Sequence, residues 1–270
     1  FMNGMLEGVD LVNRYVITKK ILDKQLAKRP TSRTKKAKEA IDSNIKDSKV
    51  MTCEAIANIY GPKFEENKDD LDFLKLVSGF LNDAGDCEMD PLYAKVNEQL
   101  YAKEPSAEAA YSLGRLFMKK EQYQKSKEYY LEAIEASDDD EKKAQYLYAL
   151  AGLEQQYLNS PVQAVKYASR SAELDPDWGD PLILMGIAYI AGNSTFGDEF
   201  ERRTSYWVAV DMFQKAKNVD PSVAQKANSL INEYSQYFPT KEDLFFHSIA
   251  EGDRYTVGGW INRTTQARPK

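Results

Sequence analysis

Apolar residues recur three and four positions apart along most of the chain, the spacing of helices that bury one face and wet the other. Val12, Val16, Leu22 and Leu26 form one such stripe within 9–26, and others run over 35–47, 51–65, 71–84 and 91–101. Farther on, the pattern repeats. Leu113 with Gly114, Ala151 with Gly152, and Met185 with Gly186 each sit midway through a helical stripe, at spacings of 38 and 34 residues. A second stripe follows each time, marked by Ser126, Tyr130 and Ala133, by Ala164, Ala168 and Ser171, and by Ala209, Phe213 and Ala216. Pro105, Pro176 and Pro221 punctuate the series, because proline cannot continue a helix. The stretch 223–237 reads as a capping helix whose outer face carries Asn228, Asn232 and Ser235. Beyond it the pattern changes in kind: Phe245 and Phe246 precede a strand-like run over 254–261 that Gly258 and Gly259 interrupt.

The paired stripes, with Leu-Gly or its equivalent in the first and Ala, an aromatic and Ala in the second before a proline, resemble the tetratricopeptide repeat. The match is best over 107–138, 145–176 and 179–221. Gln155 stands where the first-helix tyrosine is expected and Asp138 where the proline is, so these repeats are degenerate. The resemblance implies an all-α fold, a right-handed α-solenoid of helix pairs with a short strand-like C-terminal tail. It divides the chain into degenerate repeat-like helices over 1–105, clear repeats with a capping helix over 106–237, and a tail over 238–270 that packs on the end of the array. The third repeat is about 11 residues too long within 193–206, close to three helical turns. Its second helix is therefore expected to project beyond its neighbours, with Phe200 and Trp207 on one face and Asp198, Glu199 and Glu201 at its start.

Longer phrases, among them CEAIANIYGPKFEENKDDLDFLK, EPSAEAAYSLGRLF, SYWVAVDMFQKAKNVDPS, YSQYFPTKEDLFF and YTVGGWINRTT, resemble a group of tetratricopeptide proteins of Bacteroidota cell envelopes. That resemblance implies an exported protein of the periplasm or cell envelope, with the cytoplasm as the alternative. In such a compartment Cys53 and Cys87, placed near the same edge of neighbouring helix pairs, are candidates for a disulfide; two buried thiols are the competing reading. The chain opens on Phe1, as expected of a processed or cut chain, which leaves its compartment open.

Composition narrows the chemistry. The chain of 270 residues is 43% hydrophobic and 29% charged, which suits a folded, helix-rich protein rather than a disordered one. No run approaches the roughly 18 apolar residues of a membrane span. The net charge of −6 is uneven: residues 1–50 hold 12 Lys and Arg against 6 Asp and Glu. The densest basic run, from Lys28 and Arg29 through Arg33, Lys35 and Lys36 to Lys38, surrounds a turn and lacks interleaved aromatics, so it reads as a solvated loop, not a nucleic-acid site. Two cysteines and one histidine, His247, are too few for a zinc site. No phosphate loop or nucleophile elbow occurs, and a metal site from the carboxylates near 198–201 is the weaker reading beside a helix start. No catalytic residue, cofactor or metal is expected.

Architecture then suggests binding of a protein or peptide. The positions expected to line a groove are Tyr111, Arg115 and Lys119; Tyr146, Leu150, Leu153 and Tyr157; and Ile183, Leu184, Ile187 and Ile190. Such a groove is apolar in its middle, and so large an apolar surface is expected to be covered by a partner or by the chain itself. The tail is expected to supply cover through Phe245, Phe246, Tyr255 and Trp260. The alternative is a rigid spacer whose ends make the contacts, and a more remote one is an accessory subunit of an enzyme. The sequence leaves the oligomeric state unassigned.

Overall fold

The computed structural model describes residues 8–47, 51–85 and 87–270. Two compact units divide at Lys120, within the first clear repeat. In both, the fold is all-α apart from one two-stranded hairpin among the described residues.

The first unit begins with α1 (Gly8–Lys28) and α2 (Ser32–Asp47), a helical hairpin whose turn carries the exposed basic run. Tyr15 Oη donates to Asp42 Oδ1 at 2.7 Å across this pair, and Lys38 reaches Asp23. The periodicity over 51–65 predicts one helix, but the structure breaks it. Thr52 caps α3 (Cys53–Tyr60), the 3-10 turn Gly61–Lys63 follows, and α4 (Phe64–Asn67) is a single turn. Pro62 has no N–H to donate back into α3, which is why the helix stops there. The helices α5 (Leu71–Ala84), α6 (Pro91–Lys103) and α7 (Ala107–Lys119) start on the side chains of Asp70, Asp90 and Ser106, each accepting from a backbone N–H of the first turn. Asp-Pro at 90–91 thus works as a start signal, the carboxylate capping the helix and the proline occupying a position whose N–H would have had no partner.

The second unit stacks helix pairs. It contains α8 (Tyr123–Ala136), α9 (Asp140–Gln156), α10 (Pro161–Leu174), α11 (Asp180–Ala191), α12 (Glu199–Val219) and α13 (Ala224–Ser235). Small residues let paired helices meet: Ala144, Ala151, Ala164 and Ala168 are fully buried, and Ser171 Oγ donates to the Ala144 carbonyl at 2.8 Å. At Gly186 in α11 an added Cβ would lie 2.4 Å from the Phe213 ring of α12, so this glycine sets the approach of the pair. Gly152 differs from its counterpart, for a Cβ there meets nothing within 4 Å. The excess over 193–206 forms the 3-10 turn Asn193–Thr195 and lengthens α12 to 21 residues, against 14 for α8 and for α10. Asp198 caps it by accepting from the Glu201 N–H at 2.7 Å.

The tail folds as the short helix α14 (Lys241–Phe246) and the antiparallel hairpin β1 (Arg254–Val257) and β2 (Arg263–Gln266), in the register Tyr255 with Thr265 and Val257 with Arg263. It is fastened to α12. Trp207 Nε1 donates to the Arg268 carbonyl at 2.7 Å, while the Arg268 guanidinium donates to the Trp207 carbonyl at 2.8 Å and to Asp211 Oδ1 at 2.7 Å. Thr265 Oγ1 donates to the other oxygen of Asp211. Val257 of β1, Ile261 in the connection between the strands and Ala267 after β2 are buried.

Candidate functional site

In the first unit the sequence singles out Tyr111, Arg115, Cys53 and Cys87. Arg115 does not point into an open groove: its guanidinium pairs with Glu88, which is buried, and also reaches Asn82. Asn82 in turn donates to Ser112 Oγ at 2.9 Å and accepts from Tyr93 Oη at 2.9 Å, and Ser78 Oγ donates to Asn97 Oδ1 at 2.6 Å. This is a polar network within the core, closed except at Glu88, whose second carboxylate oxygen is buried with no hydrogen-bond partner among the described residues. Burial raises the phenols of Tyr93 and Tyr111 above the ordinary tyrosine range, so both stay protonated donors at neutral pH. One residue before Glu88, Cys87 is bridged to Cys53 with Cα atoms 5.4 Å apart, which ties the 87–90 turn to the start of α3.

The apolar groove expected in the second unit requires correction. Tyr146, Leu150, Leu153, Ile183 and Leu184 are buried, Ile187 and Ile190 are partly covered, and Tyr157 is exposed but stacked on Tyr123 at 4.6 Å. The reason lies in α9 and α11, which are apolar on more than one face and so are interior helices, not the lining of an open trough. Lys119, assigned to the same groove, is exposed at the end of α7.

Phe200 and Trp207 do share a face of α12, and that face is covered, not projecting. Their rings meet edge to face at 6.4 Å, Tyr255 of the hairpin packs against both, and His247 stacks on Phe200 at 3.7 Å. Of the four tail aromatics, Tyr255 and Trp260 pack inward. Phe245 and Phe246 do not, being 79% and 80% exposed. They sit at the end of α14, which a reciprocal capping box holds in place: Thr240 Oγ1 accepts from the Asp243 N–H at 3.0 Å and Asp243 Oδ2 accepts from the Thr240 N–H at 2.7 Å. Arg203 of α12 pairs with Asp243 at 3.2 Å and anchors the short helix from below. A shallow depression of about 740 Å³ lies beside the two rings, floored by Leu244, Ile249 and Pro269. The adjacent aromatics were visible in sequence; their outward direction depends on which face Leu244 takes, and Leu244 is the one that turns in.

Among the described residues no group of three or more His, Cys, Asp or Glu could hold a metal ion, and no helix is long and apolar enough to cross a membrane. No family model matches the chain and no curated protein is similar to it. Among solved structures, two of MamA are 17% and 18% identical, with TM-scores of 0.47 and 0.48; they cover 78% and 71% of this chain and 94% and 96% of their own. The TPR2AB domain of yeast Sti1 in its pHSP90 complex is 15% identical at a TM-score of 0.37 and covers 85% of this chain and 96% of its own. At such scores these likenesses carry nothing about the partners of this chain.

Proposed function

We propose that this chain is a non-catalytic protein-interaction module of the tetratricopeptide type, that it works in the periplasm or cell envelope, and that it meets its partner at the α14 corner. The exposed pair Phe245 and Phe246 carries the reading. Contiguous aromatic surface on a soluble chain marks a contact, and here it stands on a doubly capped helix, so it is presented in a fixed geometry. Burial of the apolar stripes of α9 and α11 favours contact through an end over contact through a groove, in line with the spacer alternative. The compartment is supported by the bridge between Cys53 and Cys87, since stable disulfides belong to oxidising surroundings. Against catalysis stands the single histidine, whose ring is occupied in stacking on Phe200.

The test is cross-linking in the native cell with the full chain and its Phe245→Ser/Phe246→Ser variant. Both side chains are solvated, so the variant is expected to unfold within about 0.5 kcal/mol of the parent. A protein cross-linked to the parent and lost from the variant supports the reading. An unchanged set of cross-links overturns it. The envelope assignment is checked separately by rapid acid quenching and alkylation of cells, where blocked Cys53 and Cys87 are the expected result and free thiols the opposing one.

A further inference from the structure

A second surface of the same unit has a different chemistry. Lys166 and Arg170 lie one turn apart on the exposed face of α10, and Arg263 of β2 stands across a cleft of about 430 Å³ from them. Neither Lys166 nor Arg170 makes an ion pair with any described residue. Like charges four apart on a helix repel one another, so the pair is an arrangement that the fold alone does not reward. The carboxylate at the edge, Glu173, accepts from Ser169 Oγ at 3.1 Å. Cations therefore outnumber acids in this cleft, on a chain whose net charge is −6.

The floor is aromatic and already in place. Trp260 packs on Tyr189 with centroids 5.5 Å apart, and the Arg263 guanidinium lies over the Tyr189 ring at 5.8 Å. The Trp260 indole N–H donates to the Gly192 carbonyl at 3.3 Å, and a Cβ on Gly192 would come within 2.4 Å of the indole, so the tryptophan is seated where only glycine leaves room. Ile261 is buried beside it. A ligand entering here meets an apolar plate already in place, with Arg263 held over Tyr189 and two exposed cations, Lys166 and Arg170, that are left to order on its carboxylates.

We propose that this cleft docks an acidic peptide segment, its carboxylates on Lys166, Arg170 and Arg263 and an aromatic or aliphatic side chain against Trp260. The inference rests on the reading of the chain as an interaction module, but it concerns residues apart from Phe245 and Phe246, and each test leaves the other surface intact. A peptide fits better than a nucleic acid. The cleft offers one half-buried indole whose N–H is engaged, and a phosphate backbone running past it would face the acidic remainder of the chain.

The experiment measures anisotropy of a fluorescein-labelled, end-capped acidic hexapeptide with one central phenylalanine, titrated with the full chain. Saturable binding is expected, weakened about tenfold or more both by Lys166→Glu/Arg170→Glu and by raising salt to about 0.3 M, with an unchanged melting curve for the variant. The Phe245→Ser/Phe246→Ser variant is expected to bind the peptide as the parent does. Equal affinity of the Lys166→Glu/Arg170→Glu variant, absence of saturable binding at millimolar protein, or tighter binding of an oligothymidylate of matched length each overturns the proposal.

Discussion

Gly152 and Gly186 occupy matching places in consecutive repeats, and their surroundings make opposite predictions for the same substitution. In the middle of an exposed stretch of helix, alanine is favoured over glycine by about 0.5–1 kcal/mol because it loses less backbone entropy. Gly152→Ala is expected to gain that amount, since its Cβ meets nothing within 4 Å. At Gly186 the same gain is outweighed, because the methyl would fall 2.4 Å from Phe213 and 2.9 Å from the Ala209 carbonyl. Overpacking of that kind costs about 1–3 kcal/mol, so Gly186→Ala is expected to destabilise. Urea unfolding of the two variants checks the signs; destabilisation at Gly152 or a gain at Gly186 would contradict the packing. The sequence marked both glycines through the repeat, but repeat position alone does not say which of them a neighbouring helix touches. The fully buried Ala151 takes up the close approach in the second repeat.

At the scale of elements, helix starts are written in local chemistry, although only the one near Asp198 was read from the sequence. Asp70, Asp90, Ser106 and Asp198 stand where a side-chain acceptor is needed, and 71–84 is a helix as its stripe predicts. The lengthened α12 was legible from an excess over the repeat length. What covers it was not, because the hairpin reaches α12 through contacts more than fifty residues apart in sequence, such as Trp207 with Arg268. The short helix α14 illustrates the same limit, being stabilised by its capping box and by Arg203 of α12, forty residues away in sequence. Hydrogen bonding from the Thr240 N–H, assisted by Arg203 and Lys270, holds the Asp243 carboxyl below its ordinary value of 3.8. A carboxyl depressed in the folded state adds stability that is complete above its unfolded value and is lost as pH falls through the folded one. Asp243→Asn is therefore expected to loosen α14 at neutral pH, with a difference from the parent that closes as pH drops below 3.8. Amide exchange of α14 against pH reads this directly, and a difference that persists in acid would remove Asp243 as its cause.

For the molecule as a whole, periodicity located the apolar stripes without telling which were covered, since a helix buried on two sides reads as a broad stripe whether or not a groove passes over it. Tyr146, Leu150 and Ile183 belong to that interior. Leu153→Asp would accordingly disrupt packing before it could report on a partner. The bridge between Cys53 and Cys87 closes a loop across 34 positions of the first unit. Replacing both cysteines by serine is expected to cost about 2–4 kcal/mol, seen as faster amide exchange in α3, α5 and the 87–90 turn. Unaltered exchange there would mean that the surrounding polar network suffices without it. The distribution of indoles gives this experiment an internal contrast. All three tryptophans, Trp178, Trp207 and Trp260, lie in the second unit, and none lies in residues 1–120. Intrinsic emission is thus a built-in optical label for the second unit: it reads that unit's unfolding apart from amide exchange in α3 and α5, and a ligand settling over Trp260 is expected to change its colour or intensity with no dye attached.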